Sequence, residues 1–306
     1  MDGIMKELEQ RLMREVPLAP FTTFHIGGPA QLFLEVRTEA ELTAAVRLAL
    51  SKSVPCFLLG GGSNLVVSDQ GVEGLVIRNR VCEGNLVDAA SGLLTVSSGH
   101  PLWDVVQLAQ RSGLTGFETL AGIPGTVGGA IYGNAGAYGK CIGDLLASAD
   151  ILDPTTGEVH RVEPSFFEFG YRTSSLKRRP GIILRATFRL TQGDPAAILA
   201  QINDILTQRH SKHPPIEVGC AGSFFKNLDP NPGELRRRAA GEVLEKAGAK
   251  EMVVGGASVY TKHANFIVNY GKASAADVRT LASLLKRKVQ EMFGIELHEE
   301  VLYVGR

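Results

Sequence analysis

From Thr119 to Gly139 the chain runs 21 residues without a charged side chain. That is the length of a bilayer-spanning helix. Seven of the 21 are glycine, and Pro124 and Asn134 stand among the rest. A helix of this composition pays a propensity penalty at almost every turn and packs poorly in lipid. The stretch is therefore expected to be loop laid against a ligand, and no membrane span is expected. Glycine is abundant elsewhere too, 35 of 306 residues, above the ~7% of ordinary chains.

Composition narrows the class. With 44% hydrophobic and 21% charged residues, the chain can bury a large interior and suits two or three domains. Lys+Arg and Asp+Glu are equal at 32 each, so no net field gathers phosphates along a duplex and nucleic acid is not an expected partner. The first residues (Met1, Asp2, then Lys6, Glu7, Glu9, Arg11) lack the apolar run of a signal peptide or anchor. Cys56, Cys82, Cys141 and Cys220 are too far apart for a paired metal motif or a small disulfide framework. A reduced, cytoplasmic protein without a metal or an obligate protein partner is expected.

Caps and periodicity place the helices. Thr38 and Glu41 form a capping box before Leu42, Ala45, Val46, Ala49 and Leu50. Asp194-Pro195 opens a second helix with Ile198, Ile202 and Ile205 inward. Ser274 and Asp277 open a third, striped by Val278, Leu281, Leu285, Val289 and Met292 and ended by Gly294. Shorter helices are expected after Pro101 and over 233–247. Strands are expected at 54–59, 75–78, 93–97, 147–152, 158–162, 182–190 and 296–304. Helices and strands mix without a regular βαβα beat, which favours α+β. The composition breaks near Gln192-Gly193-Asp194, where the main domain boundary is expected.

Two glycine stretches could hold a ligand. One is Gly60-Gly61-Gly62-Ser63-Asn64, directly after a strand; the other is Gly122-Ile123-Pro124-Gly125-Thr126-Val127-Gly128-Gly129, followed by Asn134. Glycine lets the backbone approach a ligand, and successive N–H groups form an anion nest. Together the two could cradle a pyrophosphate, although each alone also reads as a tight turn. Neither is a Rossmann fingerprint or a P-loop. Tyr171-Arg172 after Gly170 suits a carboxylate, or a surface turn. Ser223, between Gly222 and Phe224-Phe225, is accessible to a ligand but sits in no nucleophile elbow. In Glu299-Glu300 one acid is expected to face inward and so to need a site or an ion pair. His210-Ser211-Lys212-His213 reads as a solvated helix end in preference to a metal site, His263 as part of a polar turn, and Arg236-Arg237-Arg238 as a solvated helix face.

Taken together, these segments resemble the UDP-N-acetylenolpyruvoylglucosamine reductases. The likeness runs from Thr22-Thr23-Phe24-His25-Ile26-Gly27-Gly28 to Glu300-Val301, through 59–64, 123–130, 134–139, 169–177, 221–227 and 255–269. Leu228 departs from the usual proline after Lys-Asn, and Ser97-Ser98-Gly99-His100 from a usual Ala-Gly-Ala. The resemblance implies an α+β chain: a helical segment 1–21, an FAD-binding domain 22–192 of the vanillyl-alcohol oxidase type in two lobes (about 22–80 and 81–192), and a C-terminal substrate domain 193–306. It implies FAD as cofactor, NADPH as reductant and a nucleotide-sugar substrate. Cofactor contacts would come from Gly60, Gly61, Gly62, Ser63, Asn64, Gly122, Ile123, Gly125, Thr126, Gly128, Gly129 and Asn134. Arg172, Ser223 and Glu300 would be catalytic, with Ser223 as proton donor. Tyr171, Lys212, Asn227 and His263 would hold the substrate. A flavin oxidase and a non-catalytic binder are the competing readings; the joint presence of Arg172, Ser223 and Glu300 speaks against the binder.

Overall fold

The apolar stripes separate into distinct interiors, and the computed structural model, which describes residues 2–231 and 233–305, divides into two units. The first comprises Met1–Glu15, Gln31–Gly61 and Gly74–Arg209; the second comprises Val16–Ala30, Gly62–Glu73 and His210–Arg306. Neither is a single run of sequence. The helix at the expected boundary falls with the first unit, because Ile198, Ile202 and Ile205 are buried in that unit's core.

In the first unit, helix α1 (Asp2–Arg11) and helix α2 (Glu39–Ser51) lie together against a four-stranded sheet. Its strand order is Met13–Pro17, Pro29–Val36, Val72–Asn79, Cys56–Leu59, the last two parallel with Cys56 opposite Leu75. Glu41 N–H donates to Thr38 Oγ1 at 3.1 Å, so the cap forms, but the Glu41 carboxylate turns to Arg11 and to Arg37 N–H. Leu50 ends up 41% exposed at the margin of the stripe in the last turn.

A second core of this unit lies on an antiparallel sheet ordered Val159–Val162, Leu146–Leu152, Ile182–Arg189, Leu93–Ser97, Leu86–Asp88. Ala186 stands opposite both Ala149 and Val96, which fixes the register of the three inner strands. Helix α3 (Leu102–Arg111), helix α4 (Val127–Gly133) and helix α5 (Pro195–Lys212) bury their apolar residues against it. Helix α4 corrects the expectation of loop across the charge-free stretch. Thr126 caps it, Val127, Ala130 and Ile131 are buried, and Asn134 ends it in the left-handed conformation at φ +48°. Tertiary burial outweighs the poor propensity of Gly128 and Gly129.

The second unit packs helix α6 (Ala240–Lys246) and helix α7 (Ala275–Phe293) with a sheet ordered Gly219–Cys220, Ile267–Asn269, Ala257–Val259, Val253–Val254. The capping box of α7 is complete, with Ser274 and Asp277 bonded both ways, and Gly294 closes it at φ +66°. Met292 is 53% exposed because the buried stripe stops at Val289. The expected helix over 233–247 begins only at Ala240. The expected strand over 296–304 shrinks to Leu302–Val304, which runs parallel to Leu65–Val67. No helix among the described residues is long and apolar enough to cross a membrane.

Candidate functional site

Within the first unit the two glycine stretches meet. A Cβ on Gly61 would sit 2.7 Å from Gly125 Cα, and one on Gly60 would sit 2.5 Å from Thr126 Oγ1. Only glycine permits this approach. On the second stretch, Val127 N–H donates to His100 O and Gly128 N–H to Ser98 O, which ties the start of α4 to the segment before α3. Gly129 is exposed, and a Cβ there would meet nothing nearer than Thr126 Oγ1 at 3.5 Å. Its outer side is open to a ligand. Gly122, at φ +72°, packs on Arg209 and Leu206 of α5. Ile123 packs against the core of this unit.

Asn134, expected among the cofactor contacts, is 5% exposed. Its Nδ2 donates to Gly170 O at 2.9 Å, and its Oδ1 accepts from Gly143 N–H at 3.1 Å. That amide organises two loops of the protein. Gly170 in turn closes a tight turn: Gly170 and Thr173 exchange N–H···O bonds at 3.1 and 3.3 Å, leaving Tyr171 and Arg172 at the tip. Arg172 takes φ +56°, and its guanidinium lies 5.4 Å from the Tyr171 ring centre. Left-handed backbone at a non-glycine residue costs about 1–3 kcal/mol and persists only where its surroundings hold it.

Sequence reasoning passed over Arg209 and Lys177. Arg209 is half-buried, and its Nε has no hydrogen-bond partner among the described residues. Burial pulls its guanidinium below the ordinary value; Arg172 adds to that effect, and the Tyr138 phenol opposes it. A charge-bearing group left this way beside a second guanidinium suits an anion. Lys177 donates from Nζ to Arg172 O at 2.8 Å. It closes the matching segment 169–177 but was given no role there, since its partner is a backbone atom of a turn that sequence alone does not reveal.

In the second unit, residues far apart in sequence gather around one strand end. Thr23 N–H donates to Gly62 O, Cys220 N–H to Thr23 O, and Thr23 Oγ1 to Cys220 O. Asn64 Nδ2 donates to Glu300 O at 3.1 Å, and Leu302 N–H donates to Asn64 O. Phe225 bridges Glu299 antiparallel, and Glu300 N–H donates to Phe224 O at 2.8 Å. Ser223 and Glu300, 77 positions apart in sequence, therefore stand on neighbouring backbone. Ser223 is partly exposed, and a Cβ on Gly222 before it, at φ +74°, would have nothing within 4 Å. The adjacent acid Glu299 has the Lys286 ammonium at 3.9 Å and accepts from Tyr303 Oη. Gly62 differs from its neighbours in the first loop. At φ +62° a Cβ would collide with Phe21 O, so the protein itself demands glycine there. Ser63 is partly exposed beside it.

The residues expected at a substrate are spread over the same unit. Lys212 and Asn227 are exposed, and Asn227 Oδ1 accepts from Ala240 N–H at 3.2 Å, at the start of α6. His263 is half-buried against Phe266, with ring centres 5.0 Å apart. Its Nδ1 accepts from Asn265 N–H at 3.2 Å, which puts the proton of the neutral ring on Nε2. Burial first and the Lys212 ammonium second hold the imidazole below its ordinary value.

Comparison with known proteins gives a consistent result. The sequence matches the family "UDP-N-acetylenolpyruvoylglucosamine reductase, C-terminal domain" over residues 214–304 and "FAD binding domain" over residues 30–163. A UDP-N-acetylenolpyruvoylglucosamine reductase of Synechococcus sp. (strain RCC307) is 39% identical over 295 residues, covering 96% of this chain and 94% of that protein. UDP-N-acetylenolpyruvoylglucosamine reductase 1 of Bacillus anthracis is 38% identical over the whole of both chains. The crystal structure of the Thermus caldophilus reductase superposes with a TM-score of 0.79 at 35% identity, covering 96% of this chain and 99% of that one.

Proposed function

The chain belongs to the UDP-N-acetylenolpyruvoylglucosamine reductase family, and on that premise we infer how its residues divide the work of an FAD-dependent reduction. The reaction takes reducing equivalents from NADPH and converts UDP-N-acetylglucosamine enolpyruvate to UDP-N-acetylmuramate, a precursor of peptidoglycan. FAD suits the residues of the first unit: the abutting backbone of Gly60, Gly61, Gly125 and Thr126, and the open side of Gly129. Gly122, Ile123 and Gly128 frame these contacts, and Ser63 and Asn64 continue the first loop. When bound, the flavin supplies hydride to the vinyl carbon of the substrate.

Hydride addition at one carbon leaves negative charge on the carboxylate side of the enolpyruvyl group, and that charge needs a fixed counter-charge. Arg172 takes this role, because a planar guanidinium meets both carboxylate oxygens at once. Arg209 adds a second guanidinium. Ser223 gives the proton to the adjacent carbon. A hydroxyl is a weak acid, so the step depends on a basic enolate and fixed geometry. Glu300 orients or relays that proton. Lys212, Asn227, Tyr171 and the Nε2–H of neutral His263 hold the nucleotide diphosphate. Its substrate is a nucleotide-sugar, NADPH is the reductant, no obligate protein partner is required, and the site of action is the cytoplasm.

The observation that carries this reading is the backbone pairing beside Ser223: Glu300 N–H on Phe224 O, with Phe225 opposite Glu299. It sets a hydroxyl donor and a carboxylate on adjacent rigid backbone, as a proton relay requires. The test separates the two half-reactions under anaerobic conditions. Ser223→Ala should leave flavin reduction by NADPH intact and slow flavin reoxidation by the enolpyruvyl nucleotide by about 10²-fold or more. Equal loss in both half-reactions would refute the proton-donor role.

A further inference from the structure

We propose that Lys177 is a positioning residue for Arg172: its ammonium holds the left-handed turn from which that guanidinium projects. The proposal rests on the catalytic reading of Arg172 given above. The turn from Gly170 to Thr173 is only two bonds wide, and its tip residue has φ +56°. The two bonds that close the turn join Gly170 and Thr173, and the Arg172 carbonyl at the tip takes a donor from outside it. Lys177 supplies it at 2.8 Å, and a charged donor makes the stronger kind of hydrogen bond.

The strut is itself anchored. Lys177 N–H donates to Ser174 O, and Ser174, fully buried, donates from Oγ to Tyr132 O at 2.8 Å. The Lys177 ammonium also lies 5.8 Å from the centre of the Tyr132 ring, within range of a cation–π attraction. Two residues on, Asn134 holds Gly170 at the other side of the turn. The C-terminal end of α4 is thus the platform, and Lys177 is the brace that reaches the tip. Tyr132, Asn134, Ser174 and Lys177 form one assembly, and its contact from Nζ bears directly on Arg172. Lys177 therefore acts through Arg172 and not by meeting the substrate.

A double-mutant cycle on the FAD-loaded enzyme tests this. Lys177→Met should slow the substrate half-reaction about tenfold or more, leave the NADPH half-reaction within about twofold, and leave FAD content unchanged. In an Arg172→Ala background the same change should cost less than about twofold, because residues that act as a unit are not additive. Lys177→Arg, which retains a cationic donor, should recover most of the rate. Independent multiplication of the two losses, or equal loss in both half-reactions, would overturn the proposal. Amide hydrogen exchange at residues 170–174 provides a readout that does not depend on chemistry: it should accelerate about tenfold in Lys177→Met, and unchanged protection would also overturn it. If Arg172→Ala alone leaves the substrate half-reaction intact, the catalytic reading of Arg172 fails, and the exchange measurement still decides whether Lys177 braces the turn.

Discussion

The two glycine stretches look alike in sequence, yet their glycines are there for different reasons. At Gly62 the missing side chain is demanded from inside, since a Cβ would strike Phe21 O in a backbone already at φ +62°. At Gly129 no protein atom crowds the position: its nearest neighbour would be 3.5 Å away, and the residue is exposed. A glycine that its own protein does not crowd leaves its backbone open to the approach of a ligand. A run of glycines is thus a mixture of structural and functional positions, and only the space around each one sorts them.

The sharpest way to break this contrast is Gly62→Ala. It should cost about 3 kcal/mol or more of stability through strain and backbone collision, read by denaturant unfolding of the apoprotein. A stable variant that merely loses FAD would put Gly62 with the ligand-facing positions after all. Gly129→Val should do the opposite. Apoprotein stability should stay within about 0.5 kcal/mol, since valine is no worse than glycine in a helix, while FAD affinity falls at least tenfold, about 1.4 kcal/mol. Unchanged affinity in a flavin titration would mean that the open side of α4 faces only water. Thr126→Ala should give the smallest effect, about 0.5–1 kcal/mol from loss of a helix cap whose bond to Gly129 N–H is long at 3.4 Å. Thermal unfolding of the apoprotein measures it. Loss of FAD without loss of stability would move the Thr126 hydroxyl from cap to cofactor contact.

Much of the fold could be read from sequence wherever the cause was local. Ser274, Asp277 and Gly294 announce both ends of α7 because their capping bonds form within a few residues. The hairpin across 153–157 is equally local: Asp153 N–H and Glu158 O close it, and the Asp153 carboxylate accepts from Thr155 N–H. Helix α4 could not be read, because its stability comes from burying Val127, Ala130 and Ile131 in a core assembled from distant strands. The short final strand was overestimated for a related reason. Glu299 and Glu300 bond to Phe225 and Phe224, not to a continuing ladder. At the candidate site, the resemblance singled out Arg172, Ser223 and Glu300, the residues proposed for the chemistry. It gave no role to Lys177, whose partner is a carbonyl, and it could not reveal that the buried Asn134 amide bonds to Gly170 and Gly143.

The pairing of Leu302–Val304 with Leu65–Val67 has a consequence for biosynthesis. A parallel strand can be joined only after the intervening chain has been made, and contacts of such long sequence separation form slowly. While the ribosome is still translating the region between them, Leu65, Val66 and Val67 have no partner from the last strand. These three are buried in the finished protein, so the nascent chain carries an uncovered apolar edge through most of its synthesis. The second unit therefore closes over this edge only once residues 302–304 have been made.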